Sequence, residues 1–180
     1  MSGTTYRWLA SLISALAWLP AIAYCESELN PTTDTQLAIA EARRIISDDP
    51  FVNLATVDDK GQARIRTMEH SGADEDMVVY LATIPNTRKL TQIKTNNKVT
   101  LFFDNADETA YVSIMGTASI HNDAATIIRH AWQTPKHRTQ FWPEFPKGYV
   151  LIRVQPDWME VITSKIAARD SDWRPQAVQF

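Results

Sequence analysis

Thr87, Arg88 and Lys89 stand between the breaker pair Pro85-Asn86 and the amphipathic run Leu90 to Thr95. Pro85 cannot continue a strand ladder, and Asn86 is a favoured helix N-cap. The spacing predicts a helix over 86–95 with a hydroxyl and two cations in its first turn. That turn has unpaired N–H groups and the positive end of the peptide dipole. Cations are disfavoured there unless an anion is bound, and phosphate suits such a turn best. A solvated pair of surface cations is the plain alternative.

Arg64 and Arg66 pose a related question. Two residues apart on a strand, they share a face, where like charges repel unless something anionic lies between them. A solvent-facing hairpin strand is the alternative. Other chemistry finds little support. His70, His121, His130 and His137 show no ligand spacing, so no metal site is predicted. Ser113 lacks a nucleophile-elbow context, and no catalytic residue is predicted.

Several elements must position these groups. A helix over Gln36–Ser47 carries an apolar stripe through Leu37, Ala40 and Ile45, and Asp48-Asp49-Pro50 stops it. Strands follow over 51–57 and 62–69, joined by the turn Asp58-Asp59-Lys60-Gly61. The second strand is expected to turn out over 70–76. A third strand over 77–83 leads into the helix at 86–95, and a fourth runs over 99–103. A fifth, over 110–121, is expected to bend at Gly116. A helix over 124–132 precedes an aromatic-rich loop, 134–146. A sixth strand, 149–162, is interrupted near Gln155-Pro156, and 167–180 is expected to be loosely ordered, with Trp173 and Phe180 as docking candidates. Short strands with tight turns predict a mainly β (α+β) fold, an antiparallel barrel with helices at its ends. No G-x-G-x-x-G or regular strand–helix alternation points to a Rossmann fold.

In order along the chain, Leu54-Ala55-Thr56-Val57-Asp58 with Gly61-Gln62-Ala63-Arg64, then Arg64-Ile65-Arg66-Thr67-Met68, then Ala82-Thr83 and Thr87-Arg88-Lys89 form a recognisable set. Asn96-Asn97-Lys98-Val99, Leu101-Phe102-Phe103 and the strand Val112 to Ala118 complete it. The set, covering about 50–162, resembles the pyridoxamine 5′-phosphate oxidase-like, FMN-binding split-barrel superfamily. The resemblance implies a six-stranded antiparallel split β-barrel with flanking helices, usually a homodimer with two FMN sites at the subunit interface. It implies FMN held along Arg64, Ile65, Arg66 and Thr67, with Ala82 and Thr83 as ribityl or phosphate neighbours and Thr87, Arg88 and Lys89 at the phosphate. The implied activity is electron transfer through flavin to an unidentified small substrate. A non-catalytic flavin- or haem-binding module of the same fold is the alternative. Vitamin B6 oxidases carry lysine where this chain has Glu69, and their flavin-contacting glutamine falls at about Val112. Their C-terminal phosphate-gripping segment has no counterpart. These departures argue against pyridoxamine phosphate as the substrate.

The chain has 180 residues, 44% hydrophobic and 22% charged, with a net charge of −3. This is a globular composition without the basic stripe of a nucleic-acid binder. Met1 to Arg7 is weakly positive, Trp8 to Leu19 is apolar, Pro20 breaks the run, and Ala21-Ile22-Ala23 is an A-x-A site. Residues 1–23 are therefore expected to be a signal peptide, 24–35 a tether, 36–165 the barrel domain and 166–180 a tail. The mature protein is expected to be exported, periplasmic or secreted, with no stable membrane span. A membrane anchor through residues 8–23 is the alternative. Cys25 is the only cysteine, so no internal disulfide is available.

Overall fold

The computed structural model describes residues 33–105, 109–167 and 174–180. The signal-peptide reading and most of the tether lie outside the described residues. Helix α1 spans Thr33–Asp48, so it begins three residues before its predicted start. Its buried stripe is Ala38, Ala42, Ile45 and Ile46. The predicted stripe member Ala40 is exposed instead. Two small alanines on the inner face let the helix lie close against the sheet.

Strand β1, Phe51–Val57, pairs with β2, Ala63–Ala73, and with β4, Lys98–Asn105. Strand β3, Val79–Thr83, is followed by α2, Arg88–Thr95; β5, Ala110–His121, pairs along its length with β6, Val150–Ile162. The first half of β6 also pairs with β3, which closes a six-stranded antiparallel barrel in the order β3-β2-β1-β4-β5-β6. Val52, Leu54, Leu81, Leu101, Ile114 and Ile152 point into it from alternate strand positions.

The tail, expected to be loosely ordered, holds a seventh strand. Strand β7, Gln176–Gln179, pairs with Trp158 to Val161 of β6. Thus β6 offers one edge to β3 early and to β7 late. Asp157 is the extra residue between the two halves, because Met115 pairs with Trp158 while Gly116 pairs with Pro156. Pro156 has no N–H to give a ladder, so the bulge falls where pairing is interrupted anyway. The predicted bend at Gly116 is therefore a β6 bulge seated on a glycine. Trp173 lies outside the described residues. Phe180 docks through its backbone, its N–H donating to the Asp157 carbonyl, while its ring stays exposed.

Two further predictions need correction. Strand β2 does not turn out at His70. His70 points into the core, accepts at Nδ1 from the Gly72 N–H and donates from Nε2 to the Asp49 carbonyl. This holds the strand on course through a bulge where Gly72 takes a φ of 81°. The aromatic-rich stretch 134–146 is also not all loop. Helix α3, Ala124–His130, is followed by α4, Pro135–Phe141, which starts from Thr134, whose hydroxyl accepts from the His137 N–H. No residue of α4 is buried, so it lacks the apolar stripe that marks a helix in sequence.

Candidate functional site

Strand β2 and helix α2 face each other across an open cleft of about 840 Å³. Its walls include Arg64, Ile65 and Arg66 from β2, Asp58 to Lys60 from the hairpin turn, and Thr87, Arg88, Lys89, Thr91 and Gln92 from α2. Asn86 is not the N-cap of α2. It takes a left-handed φ of 61°, which asparagine tolerates better than most residues, and Thr87 becomes the cap. The Thr87 side chain makes no capping bond, and its Oγ1 is buried without a partner. A buried hydroxyl of this kind costs free energy unless something binds it.

The two arginines of β2 differ sharply. Arg64 gives Nε and Nη2 to the Asp58 carboxylate, both at 2.8 Å. Asp58 is itself held by the N–H groups of Lys60 and Gln62, and these bonds together with Arg64 keep its carboxyl below the usual range. So the anion that the Arg64–Arg66 pair requires is supplied, for Arg64, by the protein. Arg66 is half-buried and has no carboxylate partner among the described residues. Its Nη1 donates to the Leu54 carbonyl at 3.2 Å and the Thr56 hydroxyl at 2.7 Å, and Nη2 donates to Gln92 Oε1 at 3.0 Å. Burial first, then the charge of Arg88, lowers its pKa.

Lys89 Nζ donates to the Thr83 hydroxyl at 3.0 Å. Burial first, then Arg66, lowers its pKa as well. Arg66, Arg88 and Lys89 thus form a cluster of cations with no ion pair among the described residues. Such a cluster repels itself and is stabilised by an anion between its members.

Arg64, Ile65, Arg66, Thr87, Arg88 and Lys89 are brought together as the sequence implies, and Thr83 joins through Lys89. Thr67 and Ala82 are not in the cleft. Thr67 lies on the outer sheet face, bonded to Asn53 at 3.2 Å. Ala82 packs with Ile127, Trp142, Tyr149 and Leu151. Sequence reasoning missed Gln92 and Thr56. Thr56 was visible as a polar residue at an inward position of the alternating strand Val52-Leu54-Thr56. Gln92 was visible as the residue one helical turn after Arg88.

Glu69, at the far end of the same stretch of β2, is tied down. Gln133 Nε2 donates to it at 3.3 Å and His137 Nε2 lies 3.4 Å away. The buried Tyr149 hydroxyl donates to Gln133 Oε1 at 2.7 Å. Burial pushes the Tyr149 pKa up. Among the described residues no cluster of three metal-ligating side chains occurs, and no helix is long and apolar enough to cross a membrane.

The outer face of the sheet is also defined by register. Ile65, Ala55, Thr100, Met115 and Trp158 stand side by side on successive strands. In the neighbouring row Asn53 stands beside Phe102, whose ring stacks on Tyr111 at 5.4 Å. Ile65 is 70% exposed, and Phe51, Phe102 and Trp158 are exposed too. This apolar face meets the cation cleft at Ile65.

A split barrel with a cationic cleft between its second strand and the helix after its third defines the structural class. Residues 38–162 match the pyridoxamine 5′-phosphate oxidase family, well over half of the chain, and the protein belongs to that family. Solved structures agree on the fold. A protein related to general stress protein 26 from Clostridium acetobutylicum is 19% identical over 81% of this chain and 95% of its own, with a TM-score of 0.67. General stress protein 26 of Bacillus anthracis is 25% identical over 81% and 99%, with a TM-score of 0.62. A pyridoxamine 5′-phosphate oxidase-related, FMN-binding protein of Nostoc punctiforme is 16% identical over 81% and 96%, at 0.58. A haem-binding protein of Mycobacterium smegmatis also shares the fold, at 11% identity over 79% and 57% and a TM-score of 0.60. No curated protein matches the chain significantly.

Proposed function

We propose that the protein binds FMN and passes electrons through it to a small substrate. The observation that carries this reading is the donor set at the start of α2. Arg88 and Lys89, with Arg66 of β2 beside them, have no ion pair among the described residues, and the buried Thr87 hydroxyl has no partner there. A phosphate monoester meets every one of those needs. The adjoining apolar face at Ile65 suits a flat ring system, and a flavin bound there would supply hydride or single-electron chemistry. The chain's own part is to hold the phosphate, orient the ring and exclude water from it. Glu69 sets a negative charge on the same stretch of β2, which argues against a phosphorylated substrate.

The haem-binding reading has less support in this cleft. None of the described residues lining it is histidine, cysteine, methionine or tyrosine. The four histidines all have other contacts: His70 in the core, His121 on Ser119, His130 stacked on Tyr80 and His137 beside Glu69.

The protein is further proposed to work as a homodimer. The aromatic stretch 132–145 is mostly absorbed by its own chain, since Trp142 is buried and Trp132 and Phe145 pack against it. The outer sheet face through Ile65, Phe102 and Trp158 is the better candidate seam, because soluble monomers rarely leave such a patch open. Export rests on residues 1–23 of the sequence alone. An absorbance spectrum of the purified protein tests the reading. A two-banded flavin spectrum supports it, and a Soret band overturns it in favour of haem.

A further inference from the structure

Arg66 has five N–H donors. Three are used: both on Nη1, by Leu54 O and Thr56 Oγ1, and one on Nη2, by Gln92 Oε1. The Thr56 hydroxyl also donates to Gln92 Oε1, at 2.7 Å. Thr56 and Gln92 are therefore adjacent, and together they grip the end of the guanidinium where Nη1 and Nη2 meet. The side edge, formed by Nε–H and the second Nη2–H, makes no bond among the described residues. That is the edge which Arg64 has already given to Asp58, and it is the one that forms paired bonds to carboxylate or phosphate.

From this we infer that Gln92, working with Thr56, is a positioning residue that turns the open edge of Arg66 toward the phosphate of the ligand. The inference rests on the phosphate reading of the cleft and adds a role to a residue that touches no ligand. Thr56 is 1% exposed and cannot leave its place on β1. Gln92 lines the cleft from α2, whose buried residues are Leu90 and Ile93. The pair thus links the position of Arg66 to the helix whose first turn holds Thr87, Arg88 and Lys89. Without it, a half-buried arginine with free torsions has to be ordered by the ligand itself, at the expense of affinity.

A double-mutant cycle tests this. FMN and riboflavin are titrated by fluorescence into ligand-free wild type, Gln92→Met, Arg66→Met and the double variant, with Thr56→Val as a second route to the same perturbation. Gln92→Met is expected to weaken FMN roughly 10-fold, as for one charge-assisted bond disturbed, and to leave riboflavin unchanged. In the Arg66→Met background it should add less than about 2-fold. Thr56→Val should follow the same pattern, and it carries the cycle if Gln92→Met does not fold. Equal losses of FMN affinity by Gln92→Met in both backgrounds, or equal losses for FMN and riboflavin, overturn the positioning role. An Arg66→Met variant that binds FMN as wild type does would instead overturn the phosphate reading beneath it.

Discussion

The ammonium of Lys89 donates to the hydroxyl of Thr83 at 3.0 Å and meets no carboxylate among the described residues. That bond ties the first turn of α2 to the end of β3 and leaves a half-buried cation with unspent donors. The protein carries an excess of acids over bases, yet none of those among the described residues pairs with this lysine, with Arg66 or with Arg88. Proteins rarely leave a cluster of like charges partly buried unless the counter-charge arrives from outside.

The first consequence is a specific response to anions. Inorganic phosphate should raise the melting temperature of the ligand-free protein more than chloride at equal ionic strength, and FMN should raise it further. Anything that binds only the folded state stabilises it by mass action. Differential scanning fluorimetry checks this. Equal effects of phosphate and chloride would mean that the cluster is merely screened.

Gly116 is expected to tolerate no side chain. A Cβ there would stand 2.2 Å from the Gln155 carbonyl oxygen and 3.0 Å from its carbon. Both are backbone atoms, so relief requires the β6 bulge to move. Gly116→Ala should cost about 2 kcal/mol or more, as overpacking of a fixed site does. Urea unfolding of the variant measures it, and a loss under about 0.5 kcal/mol would show that the bulge is pliable.

His70 should make the fold sensitive to mild acid. Burial lowers its pKa from the ordinary 6.5, against the raising effects of the Asp49 carbonyl and the charges of Asp49 and Glu69. A folded pKa below the unfolded one means that the unfolded chain binds the proton more readily. Stability is then full above about pH 6.5 and is lost as pH falls through the folded pKa. Denaturant titrations between neutral pH and about pH 5.5 should show this slope, and His70→Gln should flatten it. An unchanged slope in the variant would assign the acid sensitivity to other groups.

The proposed homodimer would place its seam on the outer sheet face. Light scattering on the mature protein should give twice the chain mass. Phe102→Asp with Trp158→Asp should yield monomers, because each places a charge in the apolar seam. A wild-type monomer that still binds flavin tightly would contradict the dimer.

Much of this was legible in the sequence because strand alternation and turn chemistry are local signals. The Asp58 to Gly61 turn, β1 and the whole of β5 fall where their residues predict them. What was hidden depends on partners far along the chain. Strand β7 has little apolar character beyond Val178, and only the free late edge of β6 makes it a strand. His70 looks like a turn residue until the Asp49 carbonyl and Gly72 N–H are placed around it. In the cleft, the cations of α2 were visible from composition and position. The contrast between Arg64 and Arg66 was not, since it depends on which arginine reaches Asp58 and which reaches Gln92.

The most direct measurement compares FMN with riboflavin, which lacks the phosphate, by fluorescence titration against wild type, Arg88→Ala, Lys89→Ala and a His137→Ala control. A charge-assisted hydrogen bond contributes about 1.5–3 kcal/mol. Arg88→Ala should therefore weaken FMN by about 10- to 150-fold. Lys89→Ala should weaken it somewhat less, because an ammonium lacks the bidentate fork. Riboflavin should bind wild type poorly and be nearly indifferent to both changes, and His137→Ala should change little. If Arg88→Ala weakens both flavins equally, or neither, the first turn of α2 does not hold the phosphate.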